Sequence, residues 1–223
     1  MCYVRSTPTQ IDAVIFDCDG LLVDTESGWG RAEAALFAEH GFTFGPEQKA
    51  MLVGQTIEGA AVEMAAYFGL AGDSRSIAAE LLKRLYREVA TLAEPLPGAV
   101  DLVRTCAARL PVAVASNSPR SLLDLALKRS GLAELLPVSV AADEVERPKP
   151  DAELYLKACR LLNARPSQSV AFEDSATGVT SARAAGLYIV AVPSIRGEQL
   201  DSDWQLETLA DPRLLAWAAA VTA

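Results

Sequence analysis

The chain has little histidine, and its cysteines do not have the spacing typical of disulfide pairs or metal sites. Its 223 residues contain one histidine, His40, and four cysteines, Cys2, Cys18, Cys106 and Cys159. A single histidine nearly excludes a serine–histidine triad and a zinc site built from several histidines. Because the cysteines show neither paired nor metal-type spacing, we expect reduced thiols rather than disulfides or a zinc site.

Basic side chains are also fewer than acidic ones. Lysine and arginine total 20 against 29 aspartates and glutamates, which gives a formal net charge of −9. This balance argues against a nucleic-acid or anionic-membrane partner, since both require a basic surface. A small phosphorylated metabolite remains a possible partner, because a local lysine and a metal ion can outweigh the overall field.

Long apolar runs are absent as well. No uncharged run approaches the ~20 residues needed to span a bilayer, and the first residues lack the apolar core of a signal peptide. We therefore expect a cytoplasmic protein with no membrane partner. The length allows one large domain or a domain with a modest insertion, and a hydrophobic content of 51% supplies its core. The oligomeric state stays open, and a monomer is compatible with the sequence.

Strand-like and helical patterns alternate through most of the chain. Strands are predicted over residues 11–16, 112–115, 138–141, 169–172 and 188–192. Helices are predicted over residues 99–109, 120–130, 152–162, 178–185 and 212–221. Such alternation is typical of βαβ units, so the sequence predicts an α/β fold with a doubly wound, Rossmann-like parallel sheet.

The segment after the first strand follows a different pattern. It contains helical periodicity over residues 31–40, 57–67 and 77–92 and no strand signal. Residues 94–98, with two prolines and a glycine, then interrupt the chain because they cannot continue a helix. We predict an all-helical cap over residues 25–93, inserted into an α/β core formed by residues 1–24 and 94–223.

Four short motifs carry the chemistry. They are Asp17-Cys18-Asp19-Gly20, Ser116-Asn117, Pro148-Lys149-Pro150 and Glu173-Asp174-Ser175. The carboxyl ends of parallel strands share one edge of the sheet, so distant motifs can meet in one crevice. Several carboxylates facing a phosphate would repel it, which calls for a hard divalent cation such as Mg²⁺. Lys149 could neutralise charge on a transferred group. These are the parts needed to move a phosphoryl group.

In order and spacing the motifs resemble the haloacid dehalogenase-like hydrolase superfamily, in the branch of small-molecule phosphatases and β-phosphoglucomutase. The resemblance implies that Asp17 attacks phosphorus and becomes an aspartyl-phosphate. Asp19 would protonate the leaving alcohol and then deprotonate the attacking water. It further implies that Ser116 and Asn117 hold a phosphoryl oxygen, and that Lys149 binds the phosphoryl group and acts in catalysis.

The resemblance also implies a metal site and a specificity surface. Mg²⁺ would be held by the carboxylates of Asp17 and Asp174 and the backbone carbonyl of Asp19, with Glu173 in or just outside the ligand set. The cap would close over the site and contact the substrate. The candidate specificity residues are Trp29, Arg31, Gln55 and Thr56 in the cap and Arg120 in the core.

The sequence favours a magnesium-dependent phosphatase acting on a sugar or sugar-acid phosphate. A phosphomutase is the first alternative, but Trp29 and Ile57 stand where β-phosphoglucomutase has a cap histidine and arginine. A phosphonate-cleaving enzyme needs a Schiff-base lysine, and the cap lysines Lys49 and Lys83 are in no recognisable position for one. A non-catalytic binding protein on the same fold is the third alternative.

Overall fold

The computed structural model describes residues 7–222, which contain a six-stranded, fully parallel sheet. The chain winds outward from a central strand in both directions, so the predicted doubly wound fold is confirmed. Across the sheet the strands lie in the order β3 (Val138–Val140), β2 (Val112–Ala115), β1 (Ala13–Phe16), β4 (Ser169–Glu173), β5 (Tyr188–Ala191) and β6 (Trp204–Gln205).

Four helices follow β1 before the chain returns to the sheet. They are α1 (Glu26–Glu39), α2 (Pro46–Leu52), α3 (Ile57–Tyr67) and α4 (Ser74–Leu92). The sequence predicted three of them and missed α2, whose Pro46 resembles a helix breaker. At the first position of a helix, however, proline is favourable because its missing N–H would have no intrahelical partner.

Five helices cover the two faces of the sheet. Strand alternation sends Val14 and Phe16 to one face and Ile15 to the other, each into a separate apolar cluster. The first face is covered by α5 (Ala99–Ala107), α6 (Arg120–Arg129) and α9 (Pro212–Ala220), and the second by α7 (Glu153–Leu161) and α8 (Ala176–Ala185). The first cluster continues into the helices α1, α3 and α4.

Two chain segments join the four inserted helices to the sheet, and they pair with each other. The Asp24 amide donates to the Glu94 carbonyl at 2.8 Å, and the Leu96 amide donates to the Leu22 carbonyl at 2.9 Å. Both crossings of the chain therefore lie side by side. We propose that the boundary between core and cap falls here, between residues 24 and 25 and between residues 93 and 94.

Three of the four cysteines lie in the described part of the chain. Cys18, Cys106 and Cys159 are buried free thiols, and burial raises the pKa of Cys106 to about 12 and that of Cys159 to about 11. Cys2 lies outside the described residues. Among the helices of residues 7–222, none is both long and apolar enough to cross a membrane.

Candidate active site

The ends of neighbouring strands bring the acidic motifs together. Phe16 on β1 lies opposite Phe172 on β4, and the Asp17 amide donates to the Phe172 carbonyl at 2.9 Å. Glu173 and Asp174 follow Phe172 directly, so they reach the same edge as Asp17. All three acidic side chains are buried. Strand register therefore explains why acids 156 to 157 positions apart in the sequence meet.

A buried lysine links two of these acids. The Lys149 Nζ lies 2.5 Å from Asp17 Oδ1 and 2.6 Å from Glu173 Oε1. Burial disfavours the charged lysine, but the two carboxylates outweigh it and raise the Lys149 pKa. Burial also raises the pKa of the Asp17 carboxyl, against the opposing effect of Lys149. The hydroxyl of Tyr155, a residue that the motifs did not indicate, donates to Glu173 Oε1.

The acids form a group that could hold a metal ion. One carboxylate oxygen from each of Asp17, Glu173 and Asp174 lies within 4.8 Å of the others. Carboxylate oxygens are the donors that Mg²⁺ prefers, so these residues fit the predicted cofactor. Glu173 is already engaged by Lys149. Gly178 of α8 makes room for it, since a Cβ there would lie 1.9 Å from Glu173 Oε2.

Hydroxyl groups surround the carboxylate of Asp19. Thr25 Oγ1 donates to Asp19 Oδ1 at 2.8 Å, and Ser116 Oγ and Ser118 Oγ donate to Asp19 Oδ2 at 2.8 and 2.9 Å. Ser116 is fully buried, whereas Ser118 lines the cavity described below. The structure thus places Ser116 against Asp19 and brings Ser118, which sequence reasoning missed, to the surface of the site.

Asn117 joins the core to the cap. Its Nδ2 donates to the Gly54 carbonyl at 2.8 Å and to the Lys149 carbonyl at 3.1 Å, while its Oδ1 accepts from the Lys149 amide at 2.9 Å. Both amide hydrogens are therefore used. Asn117 could bind a phosphoryl oxygen only by giving up one of these bonds.

A cavity of about 30 Å³ lies between this cluster and the cap, which is room for one or two water molecules. Two of the predicted specificity residues, Trp29 and Gln55, line it. So do Glu33 and Lys49, which sequence reasoning did not assign to the site. The spacing of Trp29 and Glu33, one turn apart on α1, would have been the available signal. Lys49 Nζ lies 3.4 Å from Glu33 Oε2.

The other three candidate specificity residues make contacts outside the cavity lining. Arg31 Nε donates to Glu88 Oε2 at 2.8 Å within the cap. Arg120 Nη2 lies 2.5 Å from Glu144 Oε2, and the guanidinium also donates to the hydroxyl and the carbonyl of Ser139 in β3. The Thr56 hydroxyl accepts an amide hydrogen bond at the start of α3, where it caps the helix. Their contacts with a substrate remain a prediction.

The comparison with protein families agrees with this arrangement. Residues 11–186 match the model of the haloacid dehalogenase-like hydrolases, and the chain belongs to this family. The predicted class of enzyme, a phosphoric monoester hydrolase, is confirmed by the relatives described next. The non-catalytic alternative is accordingly not supported.

Two relatives and one solved structure cover most of the chain. The validoxylamine A 7'-phosphate phosphatase of Streptomyces hygroscopicus subsp. limoneus is 32% identical over 89% of this chain and 94% of its own length. The N-acetylmuramic acid 6-phosphate phosphatase of Pseudomonas aeruginosa is 34% identical over 92% of this chain and 93% of its own. The phosphate complex of CbbY from Rhodobacter sphaeroides, 25% identical, superposes with a TM-score of 0.77 over 92% of this chain and 99% of that one.

Proposed function

We propose that the protein is a magnesium-dependent phosphatase that hydrolyses a sugar or sugar-acid phosphate through an aspartyl-phosphate on Asp17. The observation that carries the proposal is the buried contact of Lys149 with both Asp17 and Glu173 at the carboxyl edge of the sheet. A lysine held there can offset the charge of a transferred phosphoryl group. The names of the two relatives, both phosphatases of small phosphorylated compounds, support the substrate class.

The first half of the reaction uses two aspartates. An oxygen of Asp17 attacks phosphorus, and the bond from phosphorus to the ester oxygen breaks. Asp19 gives its proton to that oxygen, so the leaving group departs as a neutral alcohol. The Asp17 carboxylate, the Asp19 carbonyl and the Asp174 carboxylate would hold Mg²⁺, which would offset the negative charge of the carboxylates that face the phosphate. Lys149 holds the orientation of Asp17.

The second half regenerates the enzyme. Asp19, now a carboxylate, accepts a proton from a water molecule whose oxygen attacks phosphorus. The bond between phosphorus and Asp17 breaks, and inorganic phosphate is released. Glu173 takes no part in bond making. We infer a positioning role for Glu173, just outside the direct metal ligands, and its hydrogen bonds with Lys149 and Tyr155 support this role.

The phosphomutase alternative requires a cationic site in the cap for a second phosphate. Neither Arg31 nor Arg120 lines the cavity, and each is paired with a carboxylate. Ile57 is an apolar, buried residue of α3. The cavity lysine of the cap, Lys49, faces Glu33. These contacts favour water over a sugar hydroxyl as the acceptor of the phosphoryl group.

The function can be tested with a generic aryl phosphate and the full chain. We expect hydrolysis that a chelator stops and added Mg²⁺ restores, and Asp174→Ala should raise the Mg²⁺ concentration needed for half-maximal activity. The control is Asp101→Ala, an exposed aspartate of α5 that pairs only with Arg104 among the described residues. Full activity in excess chelator, or the same Mg²⁺ requirement in both variants, would count against the metal site.

The choice between phosphatase and mutase needs a second assay. The enzyme is incubated with β-glucose 1-phosphate and a trace of the 1,6-bisphosphate, and glucose 6-phosphate and free phosphate are followed separately. We expect no isomerisation, together with release of phosphate from another sugar phosphate. Isomerisation that outruns phosphate release would overturn the proposal.

A further inference from the structure

The cap side of the cavity carries polar groups that phosphoryl transfer does not use. Trp29 and Glu33 lie one turn apart on α1, and Lys49 lies on α2; all three line the cavity opposite the aspartates. The side chain of Glu33 is 1% exposed and lies 3.4 Å from Lys49 Nζ. A buried carboxylate is costly to maintain unless it serves a structural or binding purpose.

The indole of Trp29 provides an independent observation. Its Nε1 is buried and has no hydrogen-bond acceptor among the described residues. Buried N–H donors are paired in the great majority of cases, and the Trp29 side chain borders the cavity. An acceptor on a bound ligand would satisfy this donor.

We propose that Trp29 and Glu33 together bind a hydroxyl group on the leaving alcohol of the substrate. The indole N–H donates to the hydroxyl oxygen, and the Glu33 carboxylate accepts the hydroxyl hydrogen. Lys49 balances the charge of Glu33 and donates to a neighbouring hydroxyl. This inference rests on the proposed phosphatase function, and it narrows the substrate class to phosphate esters of polyhydroxylated, uncharged alcohols such as sugars and polyols.

The pairing of a donor with an acceptor selects the hydroxyl. A hydroxyl group donates and accepts at once, so it satisfies both Trp29 and Glu33. A substrate carboxylate only accepts, and it would face the Glu33 carboxylate. A substrate ammonium only donates, which would leave the indole N–H unpaired and place a cation near Lys49. The geometry therefore favours a polyol over a sugar acid or an amine at this position.

The cavity holds about 30 Å³, which is too little for a polyol phosphate, so binding of such a substrate requires the cap to move away from the core. Trp29, Glu33 and Lys49 move together if the cap moves as one unit, because α1 and α2 both belong to it. The three groups would then contact the leaving alcohol from the cap side, while Asp17 and Asp19 contact the phosphoryl group from the core side.

The test compares two substrates across matched variants. The value of kcat/KM is measured for a hexitol 6-phosphate, and for an aryl phosphate that has no hydroxyl on its leaving group. The test variants are Trp29→Phe, which removes the N–H and keeps an aromatic ring, and Glu33→Gln, which removes the charge. The controls are Trp204→Phe in the α/β core and Glu80→Gln, which removes a partly exposed charge in the cap that pairs with Lys83 and Arg84. Thermal melting confirms that each variant folds.

We expect the ratio of kcat/KM between polyol and aryl substrates to fall about 5-fold in Trp29→Phe and about 10- to 100-fold in Glu33→Gln. The ratio should stay constant in both controls. Wild-type enzyme should also prefer the hexitol phosphate to 6-phosphogluconate and to glucosamine 6-phosphate. An unchanged ratio in the folded Trp29→Phe variant would overturn the inference while leaving the phosphatase intact. Failure of the wild type to hydrolyse even the aryl phosphate would instead overturn the proposed function, and this inference with it.

Discussion

Three hydroxyl groups fix the position of the Asp19 carboxylate. Thr25 comes from the start of the cap, whereas Ser116 and Ser118 come from the loop after β2. An acid that protonates a leaving group has to be held within hydrogen-bonding reach of it. These donors fix Asp19 in the place where the proposed mechanism needs it for proton transfer, and they tie it to both parts of the molecule.

Replacement of Asp19 should affect substrates according to their leaving groups. Asp19→Asn keeps the shape and can still accept hydrogen bonds, but it has no acidic proton to give. We expect alkyl phosphates to lose about 10²–10⁴-fold in rate, and aryl phosphates with acidic phenols to lose far less because they leave without a proton. The measurement is kcat for both substrates, with Asp101→Asn as control. Equal losses on both substrates would assign Asp19 another role.

The sequence predicts the position of some site residues but not of others. Asp17 and Asp174 lie in motifs whose strand context predicts their meeting, and the structure brings them together with Lys149, which comes from the segment between β3 and α7. Tyr155 lies on a helix with no distinctive neighbours, and the local signal for Glu33 is limited to Trp29, one turn away on α1. Their positions depend on how helices pack onto the sheet and the cap onto the core, and local sequence does not encode those contacts.

Among the secondary-structure elements, the turn between α2 and α3 brings the cap into close contact with the core. Gly54 in this turn has a φ of +75°, and a Cβ there would lie 2.8 Å from Ser175 Oγ and 3.0 Å from Thr177 Cβ. Its carbonyl accepts from Asn117. Glycine is thus required both by the backbone and by the contact with the start of α8.

Gly54→Ala should reduce activity by more than its loss of stability explains, because it disturbs the contact between cap and core. The added methyl group pushes the turn away from α8. A misplacement of about 1 Å near reacting groups can cost about 10²-fold in activity. Gly41→Ala is the matched control, because Gly41 has a φ of +81° and no atom within 4 Å of its Cβ position. We expect both variants to lose about 1 kcal/mol of stability and only Gly54→Ala to lose activity.

Assay and thermal melting measure the two quantities separately. If Gly41→Ala lost as much activity as Gly54→Ala, the contact of the turn with α8 would be irrelevant to catalysis.

Elements with strong periodicity were predictable. The observed bounds of α3 and β2 equal the predicted ones, because their apolar patterns end at clear breaks. The two-residue strand β6 (Trp204–Gln205) was missed, since a strand of this length has no periodicity to detect. The start of α1 at Glu26 was also missed, because Gly28 and Gly30 weaken the helical pattern.

For the whole molecule, the small cavity implies motion. A cavity of about 30 Å³ cannot accommodate a sugar phosphate, so the proposed function requires a form in which the cap lies farther from the core. The paired segments near residues 20–25 and 93–97 are the covalent links between the two parts, and we propose that the chain bends there.

Amide hydrogen exchange can detect this opening. Inorganic phosphate with Mg²⁺ should favour the closed form, and so slow exchange in residues 53–55 and in the two linking segments. The central strand β4 serves as internal control, because its amides are buried in both forms. Equal exchange in the linking segments with and without the ligands would argue against a hinge at this place.

The proposed mechanism requires Asp17 to carry the phosphoryl group, and this covalent intermediate can be mapped directly. The enzyme is mixed with substrate and Mg²⁺, quenched in acid within one turnover and reduced with borohydride, which converts an aspartyl-phosphate into homoserine. Mass spectrometry of the peptide that contains residues 11–22 then locates the change. We predict homoserine at position 17 and none in Asp17→Asn, which should also have lost turnover. A modification at any other residue, or turnover retained by Asp17→Asn, would show that Asp17 does not carry the phosphoryl group.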